Sequence, residues 1–226
     1  MIHFSKLPES MQNEEVKHYY DILKSKGKSL FLKRLFDLTL ALILCVLLLV
    51  PMFVISLIIM FSSKGPIIYK QVRVTTYSKE FRIWKFRTMK VGSDKLGELT
   101  CSEDDRVTGV GRFLRKYRLD ELPQIFHVIS GKMSIVGTRP EVPRYVNKYS
   151  PSMMATLLMP AGVTSLASIM FKDEAELLDN CDDADKVYIE DILPQKMNYN
   201  LEYIEEFSFR RDLKLILKTV KEVVSS

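Results

Sequence analysis

The sequence predicts an α+β fold that is mostly helical, contains one small β-hairpin and is anchored by an apolar helix broken at a central proline. Three observations lead to this prediction: 24 uncharged residues near the N-terminus, two short β-rich segments after them, and helical spacing of apolar residues over most of the remainder. A chain of 226 residues suffices for one domain of ordinary size. We divide it into a polar, amphipathic N-terminal extension (1–32), a membrane segment (33–63) and a cytoplasmic domain (64–226).

The uncharged segment runs from Leu38 to Phe61. As an α-helix it is about 36 Å long, enough to cross a hydrocarbon core of about 30 Å. A cleaved signal peptide is disfavoured because the segment begins late, is too long and lacks a small-residue cleavage pattern. The other alternative, a buried core helix, is rarely this long. We therefore expect a membrane segment.

Pro51 lies near the middle of this segment. Because proline removes one backbone hydrogen bond and clashes with the preceding turn, we expect a kink or a break there. Lysine and arginine occur on both flanks, and positively charged flanks normally stay in the cytoplasm. A re-entrant helix that bends near Pro51 and returns to the same face satisfies both flanks. The alternative is one kinked transmembrane helix, which satisfies only one of them.

The cytoplasmic domain begins after a turn at Gly65-Pro66. Two segments with strand character, separated by polar residues, predict a β-hairpin. The predicted strands are Ile67–Val74 and Phe81–Phe86, and the predicted helices are Gly111–Leu119, Pro123–Ile129, Tyr145–Leu158, Asp173–Leu178 and Lys186–Phe207. The segment Gly131–Pro143, punctuated by glycine and proline, predicts a structured loop, and the polar segment Gly92–Asp105 predicts a second loop.

The final segment, Phe207–Val224, predicts an amphipathic helix. Apolar residues at helical spacing form one face. Basic residues form another, namely Arg210, Lys214, Lys218 and Lys221. Such a helix either lies on an anionic membrane surface or packs against the domain, and the pattern favours neither alternative.

Charge is strongly segregated along the chain. The formal net charge is +5, but residues 62–148 carry 18 Lys and Arg against 9 Asp and Glu, whereas residues 162–206 carry 3 against 12. The central block therefore suits an anionic partner, and nucleic acid, acidic lipid and a nucleotide diphosphate all qualify. Three dispersed cysteines and three dispersed histidines disfavour a zinc site or a disulfide framework. Neither the GxGxxG nor the Walker A phosphate-binding fingerprint is present.

The densest candidate for chemistry is the segment RFLRKYRLDELPQIF. In it, Asp120 and Glu121 follow a cationic run that includes Arg115 and Arg118. Pro123 is typical of the first turn of a helix, so both carboxylates are expected near a helix N-terminus, which favours their ionised forms. An ionised carboxylate can act as a nucleophile or as a metal ligand. The alternative is that Asp120 caps the helix while Glu121 makes a surface ion pair.

Two further basic motifs could bind a diphosphate. Lys85 and Arg87 alternate in WKFRTM, so a strand would place both on one face, where Arg87 can make bidentate contacts. The alternative is a solvated strand face. Arg139 precedes Pro140 in GTRP, and the proline favours an extended geometry that fixes the direction of Arg139.

Together these segments resemble those of the bacterial sugar transferases, a family of monotopic phosphoglycosyl transferases that act on polyprenyl phosphate. The matching strings are KRLFD, GPIIYKQVRV, FRIWKFRTM, VGRFLRKYRLDELPQIFHVISGKMSIVGTRPE, GVTSLASI and DLKLILKTV. The resemblance runs from about Lys33 to Val220. Members anchor by a re-entrant helix with a central proline, which agrees with the position of Pro51.

The resemblance implies transfer of a sugar 1-phosphate from a UDP-sugar to undecaprenyl phosphate at the cytoplasmic face of the bacterial inner membrane, with release of UMP. It implies that Asp120 forms a covalent phosphosugar intermediate and that Glu121 helps to bind Mg²⁺. It assigns nucleotide binding to the motif at Thr138, Arg139 and Pro140. The implied partners are the donor, the acceptor and membrane lipid, without nucleic acid, and a homo-oligomer is compatible with the resemblance.

The sequence departs from the family pattern at several positions. Thr138 replaces the first proline of a Pro-Arg-Pro motif. Ala161 is an extra residue between Pro160 and Gly162, and the glycine expected after Val74 is absent. These departures bear on loop geometry and on which sugar is transferred.

Two rival functions stay open. A glycosyltransferase that transfers only the sugar would release UDP instead of UMP. A membrane-tethered binding protein would use the basic block for acidic lipid or nucleic acid, although the basic residues show no recognisable RNA-binding motif with interleaved aromatic residues.

Overall fold

The computed structural model describes residues 1–93, 104–171, 174–178 and 183–225. It shows a mostly helical protein with one antiparallel hairpin and one parallel strand pair, so the predicted α+β class with a small hairpin is confirmed. The centre of the predicted polar loop, together with Cys101 and Cys181, lies outside the described residues.

The N-terminal extension is folded onto the domain. Helix α1 (Glu14–Ser25) is capped at its N-terminus by Asn13, whose side chain accepts a hydrogen bond from the backbone N–H of Val16. Apolar side chains of this region share a core with a 3-10 helix (Met153–Leu158) and a late helix (Leu193–Glu205). They are Leu7, Met11, Val16, Tyr20 and Leu23. Burial of these side chains joins the extension to the rest of the protein.

Helix α2 (Gly27–Ser62) contains the whole uncharged segment from Leu38 to Phe61 and all but the last residue of the predicted membrane segment. With 36 residues it is about 54 Å long, and it is apolar enough to cross a membrane. Of its most apolar stretch of 18 residues, only 17% is buried within the protein. Pro51 lies inside the helix, so the predicted break does not appear as an interruption. A long helix can absorb the one hydrogen bond that a proline removes, because the turns on either side remain bonded.

One face of α2 contacts the domain along almost its whole length. The buried positions recur every three or four residues in each half, as expected for one helical face. This domain-facing stripe consists of Lys33, Asp37, Ala41, Met52, Ile55 and Ile59. The opposite face is apolar and exposed, with Val46 at 70%, Val50 at 71% and Phe61 at 82% of full exposure. A buried core helix would not leave such a face uncovered.

The predicted β-hairpin is confirmed. Strand β1 (Ile68–Thr75) pairs antiparallel with β2 (Lys79–Phe86). The turn between them places Tyr77 at φ 57° and Ser78 at φ 56°, a left-handed region that strains residues other than glycine. The departure from the family pattern in this hairpin therefore leaves the strand pairing intact, and the turn is made by strained non-glycine residues.

The segment with the adjacent carboxylates forms three short helical elements. Helix α3 (Gly109–Lys116) is capped at its N-terminus by Thr108, whose hydroxyl accepts a hydrogen bond from the backbone N–H of Gly111. A 3-10 helix (Leu119–Gln124) follows and runs directly into α4 (Ile125–Ile129). The two helices predicted in this region are therefore present, with shifted ends.

The segment punctuated by glycine and proline, predicted as a loop, contains a strand. Strand β3 (Met133–Val136) pairs in parallel with β4 (Ala161–Thr164), which incorporates the extra residue Ala161. The local sequence pattern could not show this long-range pairing. Beyond β3, Gly137 packs backbone against backbone on Gly162, where a Cβ would lie 2.2 Å from the Gly137 nitrogen. Close approach of the two strand ends therefore requires glycine.

The prediction of one helix from Tyr145 to Leu158 is wrong. Helix α5 (Pro143–Val146) is separated from the 3-10 helix Met153–Leu158 by turns and non-helical residues. Pro151 lies in this gap, and a proline disfavours helical geometry at the residue before it.

The C-terminal half is helical. Its first elements are α6 (Leu166–Met170), α7 (Glu174–Leu178), α8 (Ala184–Val187) and α9 (Leu193–Glu205). A π-helical turn joins α8 to α9, so the predicted helix at 186–207 is confirmed.

Helix α10 (Phe209–Ser225) confirms the predicted amphipathic segment. The face that carries Asp212 and Leu215 is buried against the rest of the protein. Of the two alternatives, this face therefore packs against the domain. Leu217 and Val220 point outward at 70% and 57% exposure.

Candidate active site

Three separate segments meet at the adjacent carboxylates. Strand β2 contributes Lys85, the 3-10 helix contributes Asp120 and Glu121, and the loop after β3 contributes Arg139. The Lys85 ammonium donates a hydrogen bond to Glu121 at 2.8 Å, and both terminal nitrogens of Arg139 donate to the same carboxylate. We call Lys85, Asp120, Glu121 and Arg139 the dyad cluster.

Helix α4 holds Lys85 in place through the neighbouring residue of β2. The backbone N–H of Trp84 donates to Nε2 of His127 at 3.1 Å, and the two rings pack edge to face. Burial lowers the pKa of His127 to about 4, so the ring is neutral near pH 7 and keeps this acceptor. Burial also lowers the pKa of Lys85, and Glu121 opposes that effect.

Glu121 is a buried carboxylate with two cationic partners. Burial alone would raise its pKa, but Arg139 and Lys85 outweigh burial and hold the pKa well below its usual range. In return, Glu121 raises the pKa of Arg139. The alternative of a surface ion pair is therefore wrong, because only 8% of Glu121 is exposed.

Asp120 is as buried as its neighbour but lies outside the ion pairs. No described residue donates a hydrogen bond to its carboxylate, although Lys85, Arg115 and Arg139 are close enough to interact with its charge. Burial raises the pKa of Asp120, and these cations oppose it. The expectation that both carboxylates would favour the ionised form is correct for Glu121 and wrong for Asp120, because burial dominates at Asp120.

The two predicted arginines of the preceding run have different surroundings. Arg115 donates from Nε to the hydroxyl of Thr88 at 2.9 Å, and its charge interacts with Asp120. Arg118 is exposed and occupies the N-cap of the 3-10 helix with φ 52°. No side chain caps this helix, so the alternative that Asp120 is a helix cap is wrong. Arg115 therefore lies beside the dyad cluster, whereas Arg118 faces solvent.

Arg87 does not join Lys85 at the dyad cluster. It follows the last residue of β2, and its Nη2 donates to the carbonyl and the hydroxyl of Ser63 at 2.7 and 2.8 Å. Ser63 is the C-cap of α2, so Arg87 ties the end of this apolar helix to the hairpin. The side chains of Lys85 and Arg87 therefore have different partners, although the backbone N–H of Arg87 still donates to the carbonyl of Ile67 at 2.9 Å.

The loop that carries Arg139 is tied to the core on both sides. Before Arg139, the carbonyl of Thr138 accepts a hydrogen bond from the backbone of Gly162 at 2.8 Å. After it, the carbonyl of buried Pro140 accepts one from the guanidinium of Arg73 at 3.0 Å. The threonine that replaces the family's first proline therefore leaves this loop anchored.

The sequence predictions missed a set of charged residues behind this loop. Glu141 is 6% exposed and accepts a hydrogen bond from the hydroxyl of Tyr188 at 2.6 Å. Arg73 and Lys196 are its nearest cations. The one signal in the sequence was an acidic residue directly after the Arg-Pro pair, which does not reveal burial.

The apolar helix, the hairpin and the dyad cluster all lie within a region that matches a known family. The family model described as bacterial sugar transferase matches residues 28–226. The chain belongs to the bacterial sugar transferase family. The resemblance stated from the sequence is therefore confirmed over most of the chain.

Curated relatives of this bacterial sugar transferase have names that state their substrates. The chain is 35% identical over 217 residues to a UDP-glucose:undecaprenyl-phosphate glucose-1-phosphate transferase of Escherichia coli K12, an alignment that covers 94% of this chain and 44% of the relative. It is 33% identical over 199 residues to a UDP-N-acetylgalactosamine-undecaprenyl-phosphate N-acetylgalactosaminephosphotransferase of Aeromonas hydrophila, with 86% and 44% covered.

A third relative has a similar length. The chain is 32% identical over 198 residues to the uncharacterized sugar transferase EpsL of Bacillus subtilis, with 87% of this chain and 89% of the relative covered. The chain thus spans less than half the length of the first two relatives and most of the third.

Proposed function

We propose that this bacterial sugar transferase transfers a sugar 1-phosphate from a UDP-sugar to undecaprenyl phosphate, releases UMP and thereby starts the synthesis of a bacterial surface glycan. The proposal rests on the contrast within the dyad: two cations pair with Glu121, whereas no described residue donates a hydrogen bond to Asp120. A buried carboxylate with available oxygens among cations is suited to attack an anionic phosphorus centre. The names of the relatives supply the donor and acceptor classes.

The positive charges at the site outnumber the carboxylates. Lys85, Arg115 and Arg139 surround Asp120 and Glu121, which leaves positive charge to offset the diphosphate of the donor. Arg139 offers planar, paired donors that match phosphate oxygens, and Lys85 offers a compact point charge. These side chains bind the donor, direct its sugar-linked phosphorus toward Asp120 and stabilise the charge on departing UMP.

Asp120 is the nucleophile of a two-step transfer. Its carboxylate oxygen attacks the phosphorus bonded to the sugar, the bond from that phosphorus to the bridging oxygen breaks, and UMP leaves with the electron pair. A phosphate oxygen of undecaprenyl phosphate then attacks the same phosphorus, and the bond to Asp120 breaks. The carboxylate is restored, and the lipid diphosphate-sugar leaves. Because attack needs ionised Asp120, the surrounding cations act against the burial that raises its pKa.

Mg²⁺ fits this site through Glu121. Among the described residues no group of three or more His, Cys, Asp or Glu side chains could hold a metal ion, but Mg²⁺ often binds one or two carboxylates together with substrate phosphates. Oε1 of Glu121 accepts bonds from Lys85 and Arg139, whereas Oε2 accepts one from Arg139, so Oε2 retains a lone pair. Glu121 and the donor's phosphate oxygens would hold the ion, which when bound would offset diphosphate charge.

Helix α2, which continues through Pro51 in the structure, is proposed to hold the domain on one face of the inner membrane, with a bend at Pro51 in the bilayer that keeps both halves on that face. Its first half contacts the domain through Ala41 and its second half through Ile59, so both halves stay with the same domain. A straight crossing would carry the two halves to opposite sides. Cationic flanks favour the cytoplasmic face for the domain, which is also where the acceptor's phosphate would be reached.

The nucleotide product tests the proposed reaction. The full chain in nanodiscs is incubated with undecaprenyl phosphate, Mg²⁺ and a panel of UDP-sugars. We expect UMP release with at least one donor and, when the acceptor is left out, a phosphosugar adduct on Asp120 by peptide mass spectrometry. Release of UDP would identify transfer of the sugar alone, and a full panel without UMP or adduct would contradict the proposal.

Cysteine labelling tests the membrane topology. Cysteines placed at positions 28 and 64, on a cysteine-free background, are labelled with a membrane-impermeant reagent in intact and in opened cells. We expect both positions to react only in opened cells. Labelling of one position from outside would establish a crossing helix.

A further inference from the structure

A second buried charge cluster lies behind Arg139 and takes no part in the proposed reaction. Its centre is the carboxylate of Glu141, which accepts the 2.6 Å hydrogen bond from Tyr188 on Oε1. Lys196 lies 3.6 Å from the same oxygen, and Arg73 lies 3.7 Å from Oε2. These three partners come from β1, the π-helical turn and α9, so Glu141 connects the Arg139 loop to three distant elements.

Both cations of this cluster have partners besides Glu141. Lys196 donates to Glu174 at 2.9 Å, and Arg73 donates to the side chain of Gln71 at 3.0 and 2.8 Å. Removal of the partner of a buried ion is strongly destabilising only when the charge of the ion is left uncompensated. Loss of the Glu141 charge would therefore leave Lys196 with a second carboxylate, Glu174, and Arg73 with the neutral acceptors of Gln71 and Pro140.

The contacts of Glu141 converge on the backbone next to Arg139. The carbonyl of Glu141 accepts a hydrogen bond from the backbone N–H of Val74 at 2.9 Å. Arg73, the residue before Val74, reaches the Glu141 carboxylate and also donates to the carbonyl of Pro140 at 3.0 Å. The carboxylate thus lies within ion-pair distance of Arg73, which fixes the Pro140–Glu141 peptide, one residue beyond Arg139. Its charge also acts on Arg139, whose pKa Glu141 helps to raise after the larger effect of Glu121.

We propose that Glu141 is a positioning residue for donor binding, which fixes Arg139 from behind through Arg73 and the Pro140 carbonyl. This inference rests on the proposed function, because it assigns Arg139 to the diphosphate of the donor. An arginine already fixed in direction loses less conformational freedom when it binds a phosphate. The affinity for the UDP-sugar should therefore depend on Glu141, whereas the turnover rate of the enzyme with its donor bound should not.

Glu141→Gln and Glu174→Gln form a matched pair of variants. Each removes one carboxylate charge next to Lys196 and leaves the other in place, but only Glu141 also contacts Arg73 and the loop. We expect Glu141→Gln to raise the KM for the UDP-sugar about tenfold and to change kcat less than twofold. Glu174→Gln should leave both constants within twofold. Equal changes in the two variants, or changes that only follow their melting temperatures, would overturn the proposal.

A double variant tests whether Glu141 acts through Arg139. In the Arg139→Ala background, Glu141→Gln should raise KM no further, because the side chain that it positions is gone. A second tenfold increase would show that Glu141 acts on the donor independently, against the proposal.

Hydrogen exchange separates this inference from the proposed reaction. We expect Glu141→Gln to speed exchange in peptides that cover Val74 and residues 137–142, and Glu174→Gln to leave them unchanged. This readout needs no turnover, so a chain without activity on any UDP-sugar would refute the reaction while the exchange still decides the positioning role. Unchanged exchange in Glu141→Gln would overturn that role.

Discussion

Two buried charge clusters of this protein differ in whether every carboxylate has a partner. One of them, which we call the anchor cluster, consists of Lys33, Asp37 and Asp212. In it, Asp212 accepts hydrogen bonds from Lys33 and the hydroxyl of Tyr203, both at 2.7 Å. Asp37 accepts one from the hydroxyl of Ser134 at 2.6 Å and one from the backbone of Ile135. In the dyad cluster, Glu121 is paired in the same way, but Asp120 receives no hydrogen bond from the described residues.

This difference fits a structural role for the anchor cluster and the proposed chemical role for the dyad cluster. Buried polar groups are normally satisfied, because an unpaired one retains the cost of leaving water. The anchor cluster follows that rule and joins α2 to α10 and to β3, since Lys33 also donates to the carbonyl of Val136. The dyad cluster differs at Asp120, whose carboxylate receives no hydrogen bond from the described residues and lies among Lys85, Arg115 and Arg139. On the proposed function, this arrangement keeps the oxygens of the nucleophile available.

Asp120→Asn should give the largest effect. The amide cannot attack phosphorus, so we expect UMP release to fall at least about 1,000-fold, equivalent to about 4 kcal/mol in the barrier, and the adduct to disappear. The melting temperature in detergent should not fall, because the replaced carboxylate has no hydrogen-bond donor among the described residues. Retention of near-normal UMP release would contradict the nucleophile assignment.

Asp212→Asn should break the anchor cluster with the opposite signature. It leaves Lys33 without its closest carboxylate, and we expect a loss of about 3 kcal/mol in the free energy of unfolding. The kcat of the remaining folded protein should stay within twofold of wild type. Tyr203→Phe is the milder control, because it removes only one hydrogen bond to the same carboxylate. A change in kcat without a loss of stability would show that the two clusters are not distinct in role.

Glu121→Gln should reduce activity by about 10- to 100-fold, less than Asp120→Asn does. The amide keeps one acceptor for Lys85 or Arg139 but loses the negative charge that a metal would need. We therefore also expect a higher Mg²⁺ concentration for half-maximal activity. An unchanged Mg²⁺ requirement would place the metal ligand elsewhere.

Ser78→Gly should give the smallest effect, and it should stabilise the protein. Ser78 has φ 56°, and its buried hydroxyl has no hydrogen-bond partner among the described residues. Glycine removes both penalties, so we expect a gain of about 1 kcal/mol in the free energy of unfolding, with unchanged activity. Ser78→Ala is the control, because it removes the hydroxyl but keeps the strained backbone. A melting temperature below that of wild type for Ser78→Gly would show that the turn depends on this serine.

The local sequence pattern could predict those elements whose signal lies in neighbouring residues, namely the long apolar helix and the hairpin. The apolar run gave α2, and alternation around a polar turn gave the hairpin. The pairing of β3 with β4 could not be predicted, because about 25 residues separate two strands of only four residues each. Packing of the N-terminal extension into the core was missed for the same reason, since its partners include Tyr77 and residues more than 100 positions away.

The candidate site shows the same division. Resemblance to the family identified Asp120, Glu121 and Arg139, and the structure brings their segments together. Strand alternation grouped Arg87 with Lys85, whereas the side chain of Arg87 bonds Ser63, a contact that local spacing could not show. It also gave Asp120 the wrong pKa shift, since burial is a property of the assembled fold and not of neighbouring residues.

The domain-facing stripe packs α2 against the domain along its length, so the position of the helix sets the position of the domain. A protein held by a flexible tether samples many heights above a bilayer. Packing at both Ala41 and Ile59 would fix the plane of Asp120 relative to a bilayer that holds α2 as proposed. Each residue added to a helix rotates the residues after it by about 100°, so a single insertion between these contacts would turn the second half away from the domain. On the proposed function, Asp120 would then meet acceptor phosphates at a single height and leave out those deeper or farther from the surface.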